Sequence, residues 1–201
     1  DGRGVARDLD RAVQHYQRAC DAGHLRGCSN LGRMAERGDG VPQDVARARG
    51  LYQRACDGGA HVGCANLGLL YEEGTGVERD PARAATLYRQ ACEGDAPLGC
   101  TYLGALHEAG RGVPRDQPEA ARLHGRACEA GVSVGCTALG VLRERGQGVT
   151  QDLPAASRLY AQACDRDDPY ACVRLGRLYE GGRGVARDPA GASRLYLHAC
   201  D

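Results

Sequence analysis

Apolar residues along the chain follow the period of an α-helix. In the stretch VGCANLGLLYEEG they recur every three or four positions, at Cys64, Leu67, Leu70 and Tyr71. This spacing places them on one face of a helix. Gly74 follows at the position where a glycine commonly ends a helix. The stretch therefore predicts an amphipathic helix, which we call helix A.

A second helical pattern follows after the short loop TGVERD. Asp80 is a good N-cap, and Pro81 fits the first turn of a helix. The stretch PARAATLYRQAC then places four apolar residues on one face: Ala84, Leu87, Tyr88 and Ala91. We call this predicted element helix B, so that one unit consists of helix A, a loop and helix B.

The unit recurs with a period of 36 residues. Three sets of residues keep this step: Cys20, Cys56, Cys92, Cys128, Cys164 and Cys200; Cys28, Cys64, Cys100, Cys136 and Cys172; and Asp8, Asp44, Asp80, Asp116, Asp152 and Asp188. Such a period is typical of stacked supersecondary units. The sequence therefore predicts a single all-α solenoid, a fragment that starts inside a repeat, with boundaries at 1–25, 26–61, 62–97, 98–133, 134–169 and 170–201.

Each helix B ends in a cysteine, and the next helix A begins with another cysteine eight positions later. A turn between antiparallel helices can bring two Cα atoms to the 4.4–6.8 Å or so that a disulfide needs. Zinc sites favour shorter cysteine spacings and four converging ligands, and ten reduced cysteines in paired register would be unusual. We therefore predict five local bridges and a free thiol at Cys200: Cys20–Cys28, Cys56–Cys64, Cys92–Cys100, Cys128–Cys136 and Cys164–Cys172.

Composition and charge narrow the range of partners. The chain has 26 basic and 26 acidic side chains, and every basic one is arginine. A net charge of zero gives no electrostatic signature for nucleic acid or an anionic membrane. No stretch approaches the ~20 apolar residues of a membrane span. Disulfides imply an oxidising compartment, so we expect a periplasmic, cell-surface or secreted protein.

The repeated pattern G-C-x-x-L-G-x-L-Y-E-x-G-x-G-V-x-x-D-x-x-x-A-x-x-L-Y-x-x-A-C resembles the Sel-like repeat, a relative of the tetratricopeptide repeat. The C-x7-C pairs make it most similar to the Helicobacter cysteine-rich protein branch. The resemblance implies a right-handed αα superhelix that acts as an adaptor or binding scaffold. It also implies an alternative function, weak β-lactam binding or hydrolysis, which has been described for members of that branch.

The residues themselves do not favour an enzyme. A serine β-lactamase signature requires Ser-x-x-Lys, and the chain has no lysine. The histidines form neither H-x-H nor H-E-x-x-H, no C-x-x-C-H sequence for haem attachment is present, and the GxGV loops lack the Lys-Ser/Thr of a phosphate-binding loop. We therefore expect no catalytic residue, no metal and no cofactor.

Two histidines and a recurring glutamate leave alternatives open. His107 and His124 lie in one repeat and replace tyrosines of other copies, Tyr71 and Tyr179 for the first and Tyr52, Tyr88, Tyr160 and Tyr196 for the second. They are either a ligand pair or fillers of tyrosine positions. The hairpin register places them at unequal distances from the loop, which favours the second interpretation. A glutamate recurs in every helix A and forms either an acidic binding ladder or a structural bond to loop amides or an arginine: Glu36, Glu72, Glu108, Glu144 and Glu180.

Binding residues should vary between repeats, and one stripe of helix A, opposite its recurring face, does so. In tetratricopeptide-like arrays, the resembling positions line the concave groove. We call these residues the variable stripe: Arg26, Ser29, Arg33 and Arg37; Val62, Ala65, Leu69 and Glu73; Leu98, Thr101, Ala105 and Ala109; Val134, Thr137, Val141 and Arg145; Tyr170, Val173 and Arg177.

The middle copies of the variable stripe are small and apolar, whereas its first and last copies are basic. An exposed apolar strip usually marks a binding surface; alternatively, the face is simply solvated. We expect a non-enzymatic scaffold that binds an extended polypeptide, or another cell-envelope or cell-wall component, in the groove.

Overall fold

The structure is a computed structural model that describes residues 8–200, and these residues form eleven α-helices with no strand. The helices are α1 (Leu9–Asp21), α2 (Leu25–Arg37), α3 (Val45–Asp57), α4 (His61–Glu73), α5 (Pro81–Glu93), α6 (Leu98–Ala109), α7 (Gln117–Glu129), α8 (Ser133–Arg145), α9 (Leu153–Cys164), α10 (Pro169–Gly181) and α11 (Pro189–His198). Even-numbered helices are the predicted helix A and odd-numbered helices the predicted helix B, so the predicted all-α repeat is confirmed.

Recurring residues set the helix ends. The repeated aspartate is the N-cap of every helix B, and its carboxylate accepts a hydrogen bond from the backbone N–H three residues later at 2.8–3.0 Å. Such caps satisfy one of the free N–H groups at a helix start. Helix A ends instead at a left-handed glycine, with φ between 63° and 79° at four C-caps: Gly38, Gly74, Gly146 and Gly182.

Helix A and the following helix B pack closely because a glycine faces a tyrosine ring. A Cβ added to Gly68 would lie 2.5 Å from Cε1 of Tyr88, and one added to Gly140 would lie 2.6 Å from Cε1 of Tyr160. Both tyrosines are fully buried. The glycine of the repeated L-G pair is therefore required by packing, since any side chain would push the ring away.

Disulfides join each helix B to the next helix A. Cys20–Cys28, Cys56–Cys64, Cys128–Cys136 and Cys164–Cys172 have Cα–Cα distances of 4.4–4.8 Å. Cys92 and Cys100 are disulfide-bonded as well. Cys200 is a free, exposed thiol. The predicted pairing is confirmed.

The chain forms two compact units, one extending to Gly99 and the other beginning at Cys100. In the first unit, a core of buried side chains from α2 to α5 surrounds Tyr52, Leu67 and Leu70. In the second, a core cluster contains Tyr160 and side chains from α7 to α10. Within residues 8–200, no helix has the length and apolar character needed to cross a membrane.

Candidate binding face

The first position of the variable stripe is exposed in every repeat. It lies in the first turn of helix A, and the side chains there are Arg26, Val62, Leu98, Val134 and Tyr170. The exposed fractions are 40% for Val62, 39% for Leu98, 53% for Val134 and 52% for Tyr170. Among the described residues, only Leu197 joins these four as an exposed large apolar side chain. Large apolar exposure on this protein is therefore concentrated at one repeat position.

The second position of the variable stripe is buried in four of the five repeats. The stripe therefore exposes fewer side chains than the helical periodicity alone suggests. Ala65, Thr101 and Thr137 are each at most 5% exposed, and Ser29 is 2% exposed. Helix α2 packs against α4, where Asn66 donates a hydrogen bond from Nδ2 to Oγ of Ser29 at 3.2 Å. Val173 is half-buried at the same position.

The remaining positions of the variable stripe are open to solvent to different degrees. Arg33 and Arg177 are exposed at the third position, whereas Leu69, Ala105 and Val141 are half-buried there. At the fourth position every side chain is exposed: Arg37, Glu73, Ala109 and Arg145.

A charged cluster engages Arg26 at the edge of the face. The carboxylate of Asp95 accepts a hydrogen bond from Nη2 of Arg26, and its other oxygen lies 3.1 Å from Nδ1 of His61. The hydrogen bonds from Arg26 and His61 lower the pKa of the Asp95 carboxyl. Arg26 is thus already paired, which leaves Arg33 and Arg37 as the other exposed basic side chains of the variable stripe in that repeat. Asp95 carries no signal for this pairing in the sequence, because it lies 69 residues from Arg26 along the chain.

In the second unit, Tyr170 is held in place by Arg174, which lies one turn later on the same helix, α10. Arg174 donates from Nε to the hydroxyl of Tyr170 at 3.0 Å, and its guanidinium lies 5.0 Å from the ring centroid. Arg174 also reaches the carboxylate of Glu144 at 3.5 Å. An aromatic side chain that is half exposed but held by an arginine is well suited to contact a partner.

The recurring glutamate is a structural hydrogen-bond acceptor. The tyrosine hydroxyl sixteen residues later donates to its carboxylate in four repeats, over 2.6–3.0 Å: Tyr52 to Glu36, Tyr88 to Glu72, Tyr160 to Glu144 and Tyr196 to Glu180. Burial, followed by this hydrogen bond, raises the pKa of Tyr52, Tyr160 and Tyr196. The structural interpretation of the glutamate is confirmed, with a tyrosine as its main partner rather than a loop amide.

His124 takes the place of the tyrosine in its repeat. Its Nε2 lies 2.7 Å from Oε1 of Glu108, and the ring is 1% exposed. His107 has a different partner, since its Nδ1 lies 3.2 Å from the carbonyl oxygen of Pro114. The structure therefore supports the interpretation of His124 as a filler of a tyrosine position.

One group of side chains within residues 8–200 has metal-ligand geometry. The sulfurs of Cys164 and Cys172 and a ring nitrogen of His198 all lie within 4.8 Å of one another. Both sulfurs are joined in a disulfide, and metal binding requires thiolates. The group in this state is therefore a histidine packed on a disulfide.

The second unit also contains a cleft that the sequence analysis missed. It has a volume of about 560 Å³ and lies between α7, α8 and the loop that follows, with Arg122, Arg126 and Arg143 among its lining residues. The signal was present in the repeat alignment, because Arg143 occupies a position held by Tyr71 and Tyr179 in other copies.

The sequence profile of the Sel1 repeat matches the chain along nearly its whole length: residues 1–24, 25–59, 61–95, 97–132, 133–168 and 169–201. No curated protein matches the chain.

Solved structures give the same picture. A protective antigen of uropathogenic Escherichia coli with an SLR fold is 31% identical, with a TM-score of 0.80 over 99% of this chain and 43% of that one, so this chain spans less than half of that protein. A Sel1 repeat protein from Oxalobacter formigenes is 23% identical, with a TM-score of 0.81 over 94% of this chain and 82% of that one. Cysteine-rich protein B of Helicobacter pylori is 30% identical, with a TM-score of 0.53 over 64% of this chain and 92% of that one. The repeats, the helix pairs and their disulfides agree on one conclusion: the chain belongs to the Sel1 repeat family.

Proposed function

We propose that this protein is a non-enzymatic scaffold that binds an extended polypeptide, or another cell-envelope component, through the exposed positions of the variable stripe. One observation carries the proposal. Four of the five large apolar side chains that the described residues expose stand at one repeat position, 36 residues apart: Val62, Leu98, Val134 and Tyr170. Incidental surface exposure would scatter such side chains over the repeat.

Within each unit, two of these apolar side chains are accompanied by exposed arginines. Arg33 and Arg37 belong to the variable stripe of the first unit, and Arg145 and Arg177 to that of the second. Arginine can hold a carboxylate through two parallel hydrogen bonds. An extended polypeptide supplies both apolar and acidic groups along its length, and Sel1 repeat scaffolds generally mediate protein interactions. We therefore favour a partner that carries acidic residues or a free carboxylate beside apolar ones.

The proposal is tested by selecting displayed random linear peptides on the oxidised protein and measuring the binding of one selected peptide by fluorescence anisotropy. Val134→Asp combined with Tyr170→Asp should weaken binding at least tenfold, which corresponds to about 1.4 kcal/mol, with an unchanged circular dichroism spectrum. Leu197→Asp is the matched control, since Leu197 is 69% exposed but lies outside the variable stripe. Equal binding by both variants would refute the assignment of the face.

The arginines are tested separately. Arg33→Glu combined with Arg177→Glu should weaken binding by an acidic peptide, and the loss should shrink as salt is added because exposed charges are screened. A loss that does not depend on salt would contradict a role for charge.

Five disulfides indicate an oxidising extracellular compartment, and we place the protein in the periplasm or outside the cell. The non-enzymatic part of the proposal is tested by incubating the purified, oxidised protein with nitrocefin. Turnover that survives further purification would overturn it in favour of β-lactam hydrolysis.

A further inference from the structure

The cleft of the second unit lies away from the variable stripe and is suited to a small ligand. Its volume of about 560 Å³ falls within the range of small-molecule sites, roughly 300–1,000 Å³. Leu139 and Val149 give it an apolar floor, and Arg122, Arg126 and Arg143 line it with guanidinium groups. Arginines around an apolar floor favour an amphipathic anion.

The equivalent surface two repeats earlier, in the first unit, offers a comparison for the open cleft. There, a pocket of about 390 Å³ includes Tyr71 and Val77 in its lining, the residues equivalent to Arg143 and Val149. The guanidinium of Arg83 covers the Tyr71 ring at 4.2 Å from its centroid.

Two differences in the repeat pattern distinguish the cleft of the second unit from this pocket. Arg143 stands where Tyr71 supplies a ring, and Gly125 stands where Gln53 supplies a side chain. The apolar floor of the cleft is more exposed than its counterpart in the first unit: Leu139 is only half-buried, whereas its equivalent, Leu67, is fully buried. A Cβ added to Gly125 would find only Leu139 nearby, at 3.7 Å.

The charge of the cleft is unbalanced. Arg122 is held by the carboxylate of Glu119 at 2.6–2.7 Å. Within residues 8–200, neither Arg126 nor Arg143 forms a salt bridge, and the remaining acidic side chain of the lining is Glu129. Two unpaired guanidinium groups and one carboxylate leave an excess of one positive charge beside the apolar floor.

We propose that this cleft binds an organic anion with an apolar body, its carboxylate held by Arg143 and Arg126 and its hydrocarbon placed on Leu139 and Val149. Arginine recognises a carboxylate bidentately, and the apolar body contributes through the surface that it removes from water. This proposal does not depend on the binding face, since none of the four residues belongs to the variable stripe.

The test uses octanoate as the probe and the methyl resonances of the oxidised protein as the readout. Octanoate should shift the methyl signals of Leu139 and Val149 to saturation, and should leave those of their equivalents in the first unit, the buried Leu67 and the pocket-lining Val77, unchanged. Octanol, which lacks the charge, and acetate, which lacks the apolar body, should each bind at least tenfold more weakly. Equal binding of octanol, or equal shifts at Leu67 and Val77, would overturn the proposal.

Two variants close the cleft in different ways. Arg143→Tyr introduces the tyrosine found at positions 71 and 179, and Gly125→Gln introduces the side chain found at position 53. Each should weaken octanoate binding at least tenfold. Arg158→Tyr, at an exposed arginine of α9 outside the cleft, should leave it unchanged. Full octanoate affinity in a folded Gly125→Gln protein would sink the proposal even if Arg143→Tyr failed to fold.

Discussion

Replacing Tyr160 with phenylalanine isolates the value of one hydrogen bond of the repeat. The Tyr160 hydroxyl donates to Oε2 of Glu144 at 2.8 Å, and the tyrosine is fully buried. Phenylalanine keeps the ring that packs on Gly140 and removes only the hydroxyl. Tyr196→Phe is a matched change, because Tyr196 donates to Glu180 at 3.0 Å in an exposed pair.

The two substitutions should cost different amounts of stability. Water can take the place of the Tyr196 hydroxyl at the exposed Glu180, but it has little access to the mostly buried carboxylate of Glu144. The side chain of Glu144 is 12% exposed and retains Arg174 at 3.5 Å and Arg183 at 3.6 Å. A hydrogen bond to a charged group contributes about 1.5–3 kcal/mol, and a buried acceptor left with fewer partners keeps its desolvation cost. We therefore expect Tyr160→Phe to lower the free energy of unfolding by about 1.5–3 kcal/mol, and Tyr196→Phe by less than about 0.5 kcal/mol.

Urea unfolding of the oxidised protein, followed by circular dichroism, measures both values at neutral pH. A change of 1 kcal/mol moves the Tm of a chain of this size by about 2–4 °C, so thermal unfolding provides a second measurement. Similar losses for the two variants would refute the reasoning, because they would show that burial of the carboxylate does not set the value of the bond.

Further predictions concern packing, thiols and pH. Gly68→Ala should destabilise the protein by about 1–3 kcal/mol because its Cβ would meet the Tyr88 ring, whereas Gly50→Ala, in an open helical position, should stabilise it by about 0.5–1 kcal/mol; the same sign for both in urea unfolding would contradict the packing argument. Thiol titration of the native oxidised protein should give a single reactive group, Cys200, and a second one would show that a bridge is open. Reduction should lower the Tm but retain helical circular dichroism, since each bridge constrains one junction and contributes roughly 2–3 kcal/mol; loss of all helix would contradict this. Burial and the hydrogen bond to Glu36 raise the pKa of Tyr52, so the unfolded chain loses this phenolic proton at a lower pH than the folded protein does. Stability should therefore be full below about pH 10 and fall above it, measured after alkylation of Cys200, and a flat profile would contradict the prediction.

Much of this protein can be predicted from sequence because its determinants are local and repeated. The N-cap aspartates, the C-cap glycines and the cysteine pairs act within a few residues, and every copy repeats the same signal. The sequence therefore predicted the helices, the disulfide partners and the free Cys200. It also indicated that a glutamate present in every repeat is structural, although its tyrosine partner became clear only from the packing of helix A on helix B.

Exposure was decided by the tertiary structure. Helical periodicity placed Val134 and Thr137 in one stripe, yet Val134 is 53% exposed and Thr137 is 5% exposed. A helical wheel describes one helix, whereas burial depends on the helices packed beside it. The pairing of Arg26 with Asp95, 69 residues apart, has the same origin, because contacts between distant repeats form only when the helices stack.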